Sequence, residues 1–279
     1  MNEKILPCRT LGIALAIAAG VSSLPAQDLT TTDGQFYPKA TLRRNGEMIM
    51  VKATVAGGTG NIEMGVPVAK IAKIAFPEPP ELAKAITAAS KASADEVLTL
   101  TGPYVEGQAD CRDLPGSWWP EMARLRLLAL VSVSKDAECA ELARKIGTLK
   151  TPWSDSISRA GALFGPLASS DIQAVIVGSK GFTRVGGDQG SALVQVALGR
   201  ALLSKKDWLG ALRAFLTVRV FYPAVALLQP PALSGASDAY IGLKDAKRAA
   251  RALADLAAEW PDSPLAAVAK KRAEGLSQP

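Results

Sequence analysis

The sequence predicts a mainly α protein: stacked helix-turn-helix units behind a small N-terminal β module, either SH3-like or a short curled antiparallel sheet. Three observations predict it. The C-terminal part matches itself at a fixed offset, the signature of a repeat. Near the N-terminus, Asn-Gly and Gly-rich turns punctuate short alternating apolar segments. Aromatics make up only 5% while hydrophobic residues reach 48%, with alanine frequent, which suits close-packed helices better than a β-sandwich. At 279 residues the chain accommodates one large domain or two modest ones.

Residues 1–26 read as an export signal. Lys4 and Arg9 precede an apolar run from Leu11 to Val21, and small residues lead to a cleavage point after Ala26. The run is short for a membrane span, and an uncleaved anchor is the alternative. No later stretch reads as a transmembrane segment, so the expectation after cleavage is an exported protein without a span, periplasmic or associated with the outer membrane. Cys111 and Cys139 then remain, as a disulfide permitted by an oxidising compartment or as two buried thiols.

Residues 29–77 read as the β module. Asn45-Gly46 lies between Ala40-Thr41-Leu42 and Met48-Ile49-Met50-Val51, a hairpin signal because both turn residues tolerate positive φ. Gly57-Gly58-Thr59-Gly60-Asn61 marks a second turn, followed by strands around Ile62–Met64 and Val68–Phe76, four strands in all. The glycines lack the Lys-Ser or Lys-Thr and the following helix of a phosphate loop. Pro77, Pro79 and Pro80 stop the last strand, and a helix opens near Pro80.

Residues 80–276 read as helical repeats. Gly199 matches Ser237, Leu202 matches Tyr240, and Lys206-Asp207 matches Lys244-Asp245. Ala211, Phe215 and Val218 match Ala249, Leu253 and Leu256, and Tyr222-Pro223 matches Trp260-Pro261; every pair is offset by 38 residues. Gly199 and Ser237 are small where helices approach, and Asp207 and Asp245 cap the second helix of each unit. Phe215 and Leu253 belong to its apolar stripe. A weaker copy matches Lys135-Asp136, Ala140 and Pro152 to Lys206-Asp207, Ala211 and Pro223 at an offset of 71. Leu82 to Glu106 holds a further helix pair, Ser191 caps the helix after the Gly186-Gly187 loop, and Asp262 to Leu276 forms a last, capping helix.

Leu198-Gly199, Leu202, Ala211, Phe215 and Pro223, with Leu233, Ala236, Tyr240, Ala249, Leu253 and Pro261, resemble the tetratricopeptide repeat family. Gln195 stands where the family places tryptophan, and the family period is about 34 residues. The excess places four extra residues between the two units, around Ala224 to Ala232. The ending Trp260-Pro261-Asp262-Ser263-Pro264 is similar to periplasmic members, among them Tol–Pal coordinators and outer-membrane assembly lipoproteins. The resemblance implies a non-catalytic envelope scaffold that binds envelope proteins or itself. It also implies a peptide groove along the first helix of each unit, with Arg200, Ser204, Ser234 and Asp238 as its exposed candidates, against the plainer reading of surface residues.

The chain has no histidine, which excludes Ser-His-Asp and Cys-His catalysis and His-ligated zinc. No catalytic residue, metal or cofactor is expected. The net charge is +6, yet Lys and Arg interleave with Asp and Glu, so nucleic acid is not expected as a partner. Asp95-Glu96, and Glu106 with Asp110, read as solvated helix faces rather than a glycosidase pair. Trp118-Trp119 reads as a core anchor entered through Ser117. The competing possibility is a stacking platform for glycan or peptidoglycan, the alternative function.

Overall fold

The computed structural model describes residues 24–54, 61–182 and 188–276. The segment read as an export signal, up to residue 23, the Gly-rich residues 57–60 read as a turn, and Gly186-Gly187 lie outside the described residues. The fold is mainly helical behind an N-terminal antiparallel sheet, as the sequence predicts.

The sheet contains β1 (Leu24–Thr31), β2 (Phe36–Asn45), β3 (Met48–Thr54), β4 (Asn61–Pro67) and β5 (Ile71–Ala75), in the order β4-β3-β2-β1-β5. A meander of four strands is thus completed by a fifth that returns beside the first after a 3-10 turn, Val68–Lys70. This is the small antiparallel module that the sequence predicts. The sequence reading of four strands is corrected at two places. β1 begins at Leu24, inside the segment read as the export signal, and the 68–76 segment is split by the 3-10 turn. The β2–β3 hairpin closes on Asn45 opposite Met48. Gly46 alone has positive φ, the pattern of a II′ turn, so Asn45 stays in the strand.

Leu29, Leu42, Ile49, Val51, Val66, Ile71 and Ile74 fill one sheet face, and Cys111 and Leu114 from the helical part complete that core. A lone small sheet is marginal, and here the helices supply what it lacks. Arg44 pairs with Asp113 and donates to the Asp110 carbonyl at 2.8 Å. The Ile74 N–H donates to the Pro115 carbonyl at 3.1 Å, and Trp118 Nε1 donates to the Phe76 carbonyl at 3.3 Å. Gly116 makes this approach possible: a Cβ there would lie 2.2 Å from the Ile74 carbonyl oxygen, and its φ is +92°.

The helices are α1 (Pro80–Ser90), α2 (Ala94–Gly107), α3 (Trp119–Ser132), α4 (Asp136–Ile146), α5 (Ser154–Ala162), α6 (Phe164–Ala168), α7 (Ile172–Ser179), α8 (Gln189–Ser204), α9 (Trp208–Phe221), α10 (Gln229–Gly242), α11 (Ala246–Glu259) and α12 (Ala266–Leu276). One turn recurs. Among the described residues the non-glycine positive-φ positions are Ala92, Ser134, Ser170, Lys206 and Lys244, each just past a helix end. The following residue donates its N–H back to the ending helix: Ser93 to Ala88, Lys135 to Leu130, Asp171 to Pro166, Asp207 to Leu202 and Asp245 to Tyr240, all at 2.8–3.0 Å. This is a Schellman ending whose last residue is also the N-cap of the next helix. At Asp171, Asp207 and Asp245 the side chain accepts a backbone N–H of the new helix. The expected caps Asp207 and Asp245 are therefore present.

The recurrent turn defines hairpins α1–α2, α3–α4, α6–α7, α8–α9 and α10–α11, with α5 running into α6. It also corrects the earlier copy by one residue. Ser134 occupies the place of Lys206, so Cys139, Ala143 and Ile146 take the buried positions of Ala211, Phe215 and Val218. Two helix starts move as well. α8 is capped by Asp188, which accepts from the N–H groups of Gly190 and Ser191, so Ser191 lies inside the helix. α12 begins at Ala266, because residues 261–265 form turns.

Phe215 explains the small residues around it. A Cβ on Gly199 would meet its ring at 2.7 Å, and one on Gly235 at 2.4 Å. α9 therefore wedges an aromatic ring between bare backbone of α8 and α10. The extra residues between these units form a 3-10 turn, Ala226–Leu228, that reaches α1, α3 and α8. Pro230 and Pro231 fill the first turn of α10, where a missing N–H breaks no hydrogen bond.

Candidate partner-binding face

Arg200 and Asp238, two of the four expected groove residues, turn to different neighbours. Arg200 leaves α8 toward the α3–α4 hairpin. It pairs with Asp136 at 2.7 Å, donates to the Val131 carbonyl at 2.6 Å, and its guanidinium lies 5.8 Å from the Phe164 ring centroid. Only 17% of its side chain is exposed, so the expectation of an exposed contact residue is corrected. Burial lowers the Arg200 pKa despite Asp136, and burial raises the Asp136 pKa despite Arg200. Such a pair holds two hairpins in register. Ser204 is exposed, but its hydroxyl donates to the Arg200 carbonyl one turn back. Ser234 is half-buried in α10, and Asp238 pairs with Arg272 of α12.

The inner side of the stack is largely filled. Leu227 and Leu228 of the inserted 3-10 turn join the core built by α1, α3 and α8. A cleft of about 260 Å³ lies between α1, α3 and residues 224–227, lined by Ile86, Ser90, Arg124, Leu125, Gln189 and Ala226 among others. Ile86 is exposed there, and Arg124 donates to Gln189 at 2.9 Å and to Glu121 at 2.9 Å.

The tryptophan pair offers no sugar platform. Trp119 is 0% exposed and donates its indole N–H to the Val105 carbonyl at 2.8 Å. Trp118 is half-buried against the β module. Ser117 accepts the Trp119 N–H at 3.2 Å, although the N-cap position itself is Trp118. Both cysteines are free. Cys111 sits in the sheet core and Cys139 in the helical core, so of the two alternatives the structure shows the buried thiols. Burial raises both thiol pKa values, Cys111 to about 11.

A second cleft of about 340 Å³ gathers Glu106, Glu138 and Glu141 with Arg126 and Lys145. Each carboxylate is paired with a nearby cation: Glu106 with Arg126, Glu138 with Lys135 and Glu141 with Lys145. Asp95 and Glu96 are exposed in the first turn of α2, where they complement the helix dipole.

The sequence reading missed the outward face of α9. Leu209, Leu216, Val220 and Phe221 are 66%, 36%, 66% and 59% exposed. The signal lies in the 38-residue offset: at the matching positions α11 carries Lys247, Ala254, Ala258 and Glu259. No family model, no curated protein and no solved structure matches the chain.

Proposed function

We propose that the chain is a non-catalytic envelope scaffold whose stacked hairpins, similar to tetratricopeptide repeats, hold a protein partner. The observation that carries this reading is the recurrence of one turn, a positive-φ residue followed by an N-cap, at Ala92, Ser134, Ser170, Lys206 and Lys244. Such units bury their apolar faces only by stacking and leave an extended surface for partners. The absence of histidine from the sequence agrees with a binding role. The export signal read in residues 1–26 supports an envelope location.

The partner surface of this proposal is the cleft between α1, α3 and residues 224–227, in place of the groove through Arg200 and Asp238. The test is in-cell photocrosslinking from a reactive residue at Ile86, with mass spectrometry of what is captured. One reproducible envelope protein, lost on Arg124→Glu in a stably folded variant, supports the scaffold. Capture of nothing but the protein itself, or of a different set in each replicate, sinks it.

A further inference from the structure

We propose that the outward face of α9 docks on an anionic lipid bilayer. Its inner face is spent on α8 and α10, where Ala211, Phe215 and Val218 are buried. The outer face presents Leu209, Leu216 and Val220 to solvent, with Arg213 between them, and Phe221 is exposed at the end of the helix. Lys205 and Lys206 stand in the turn before its N-terminal end, with Lys205 donating to Gln173 of α7 at 2.9 Å, whereas the charge of Arg219 is met by Glu259. The carboxylates nearby are engaged: Asp207 caps the helix, and Glu259 pairs with Arg219 at 2.6 Å. An apolar strip edged by cations is complementary to acyl chains beneath anionic headgroups, and Arg and Lys side chains reach outward to such headgroups.

Charge decides against a second copy. In an isologous pair the strip meets itself, so Arg213 would be desolvated close to its symmetry mate with no carboxylate on the face to pair it. Length decides the mode of binding. A 14-residue helix is roughly 21 Å long, enough to lie in the interface and too short to cross it. Among the described residues no helix is long and apolar enough to cross a membrane. α11 is the built-in control, because the same hairpin position carries Lys247, Arg251 and Glu259 there.

The experiment is cosedimentation of the full chain with vesicles of phosphatidylglycerol and phosphatidylcholine, against phosphatidylcholine alone. Wild type, the double variant Leu216→Asp/Val220→Asp, and Ala254→Asp on α11 are compared. All carry the same N-terminal apolar run, so differences between them report on α9. The expected result is about tenfold stronger partitioning of wild type onto the anionic vesicles. The double variant loses about tenfold or more with unchanged circular dichroism, and Ala254→Asp binds as wild type does. Absence of wild-type binding, or equal binding by the double variant, overturns the proposal. So does a concentration-dependent dimer of wild type that the double variant abolishes, which assigns the face to a second copy.

Discussion

The α8–α9 and α10–α11 hairpins share a backbone and differ in surface. Both turn through a lysine with φ of +60° and cap the second helix with aspartate. Ala211 and Ala249, Phe215 and Leu253, and Val218 and Leu256 are buried in parallel. On the outside the likeness ends: α9 shows Leu209, Val220 and Phe221 where α11 shows Lys247, Ala258 and Glu259. Positions inside the stack answer to packing density, which punishes almost any change. Positions outside answer to solvent or to a partner, and it is there that two copies of one unit are free to diverge.

The largest way to break the comparison is in the core. Phe215→Ala is expected to cost about 4 kcal/mol in urea unfolding, because Gly199 and Gly235 have no side chains to refill the space. Leu253→Ala, whose neighbours in the α12 cluster include other side chains, is expected to cost about 3 kcal/mol. A Phe215 loss no larger than that of Leu253 refutes the wedge. Next comes the pair joining α4 to α8. Asp136→Ala strands Arg200 and is expected to cost about 3 kcal/mol, most of it recovered by the double change Asp136→Leu/Arg200→Met. If the double variant is no better than the single one, the charge was not the reason for the loss.

The turns predict smaller and opposite effects. Asp207→Ala and Asp245→Ala remove equivalent caps and are each expected to cost about 1 kcal/mol. Lys206→Gly and Lys244→Gly relieve positive φ and are each expected to gain about 0.5 kcal/mol, measured as raised unfolding midpoints.

The Asp188 cap is expected to show in the pH dependence. Burial works against its ionisation, but hydrogen bonds from Ser191, Ser156 and Gly190 outweigh burial and hold it below 3.8. The unfolded chain then takes up the proton more readily. The cap's contribution is present above 3.8 and is lost as pH falls through the lowered folded value. Asp188→Asn should flatten that acid limb of stability, and an unchanged limb disproves the assignment. The smallest effect is expected at the surface: Leu209→Lys makes α9 resemble α11 and should shift stability by less than about 0.5 kcal/mol.

Legibility followed the same division. The caps Asp207 and Asp245 and the pairing of Ala211 with Ala249 were readable because each reports a local backbone demand that recurs. The α3–α4 copy was misplaced by one residue because the positive-φ position carries serine there, and Lys135-Asp136 imitates Lys206-Asp207 in sequence without occupying its place. The α6–α7 hairpin went unread because a five-residue α6 carries too little periodicity to register. Arg200 was misjudged for a different reason. An arginine on a helix reads as exposed unless its partner is known, and Asp136 lies 64 residues away.

The sequence by itself determined the class of fold, the position of the sheet before the helices, and the caps and small residues of the last two hairpins. Each of these follows from interactions within a few residues or from a pattern repeated along the chain. Only the tertiary structure decided that the inserted 3-10 turn fills the inner side, that Arg200 and Asp136 tie two hairpins together, and that Cys111 completes a core remote from that of Cys139. It also decided which of the apolar residues on α9 stay in water. These are questions of which surfaces meet after the chain has folded back on itself, and no local spacing encodes that meeting.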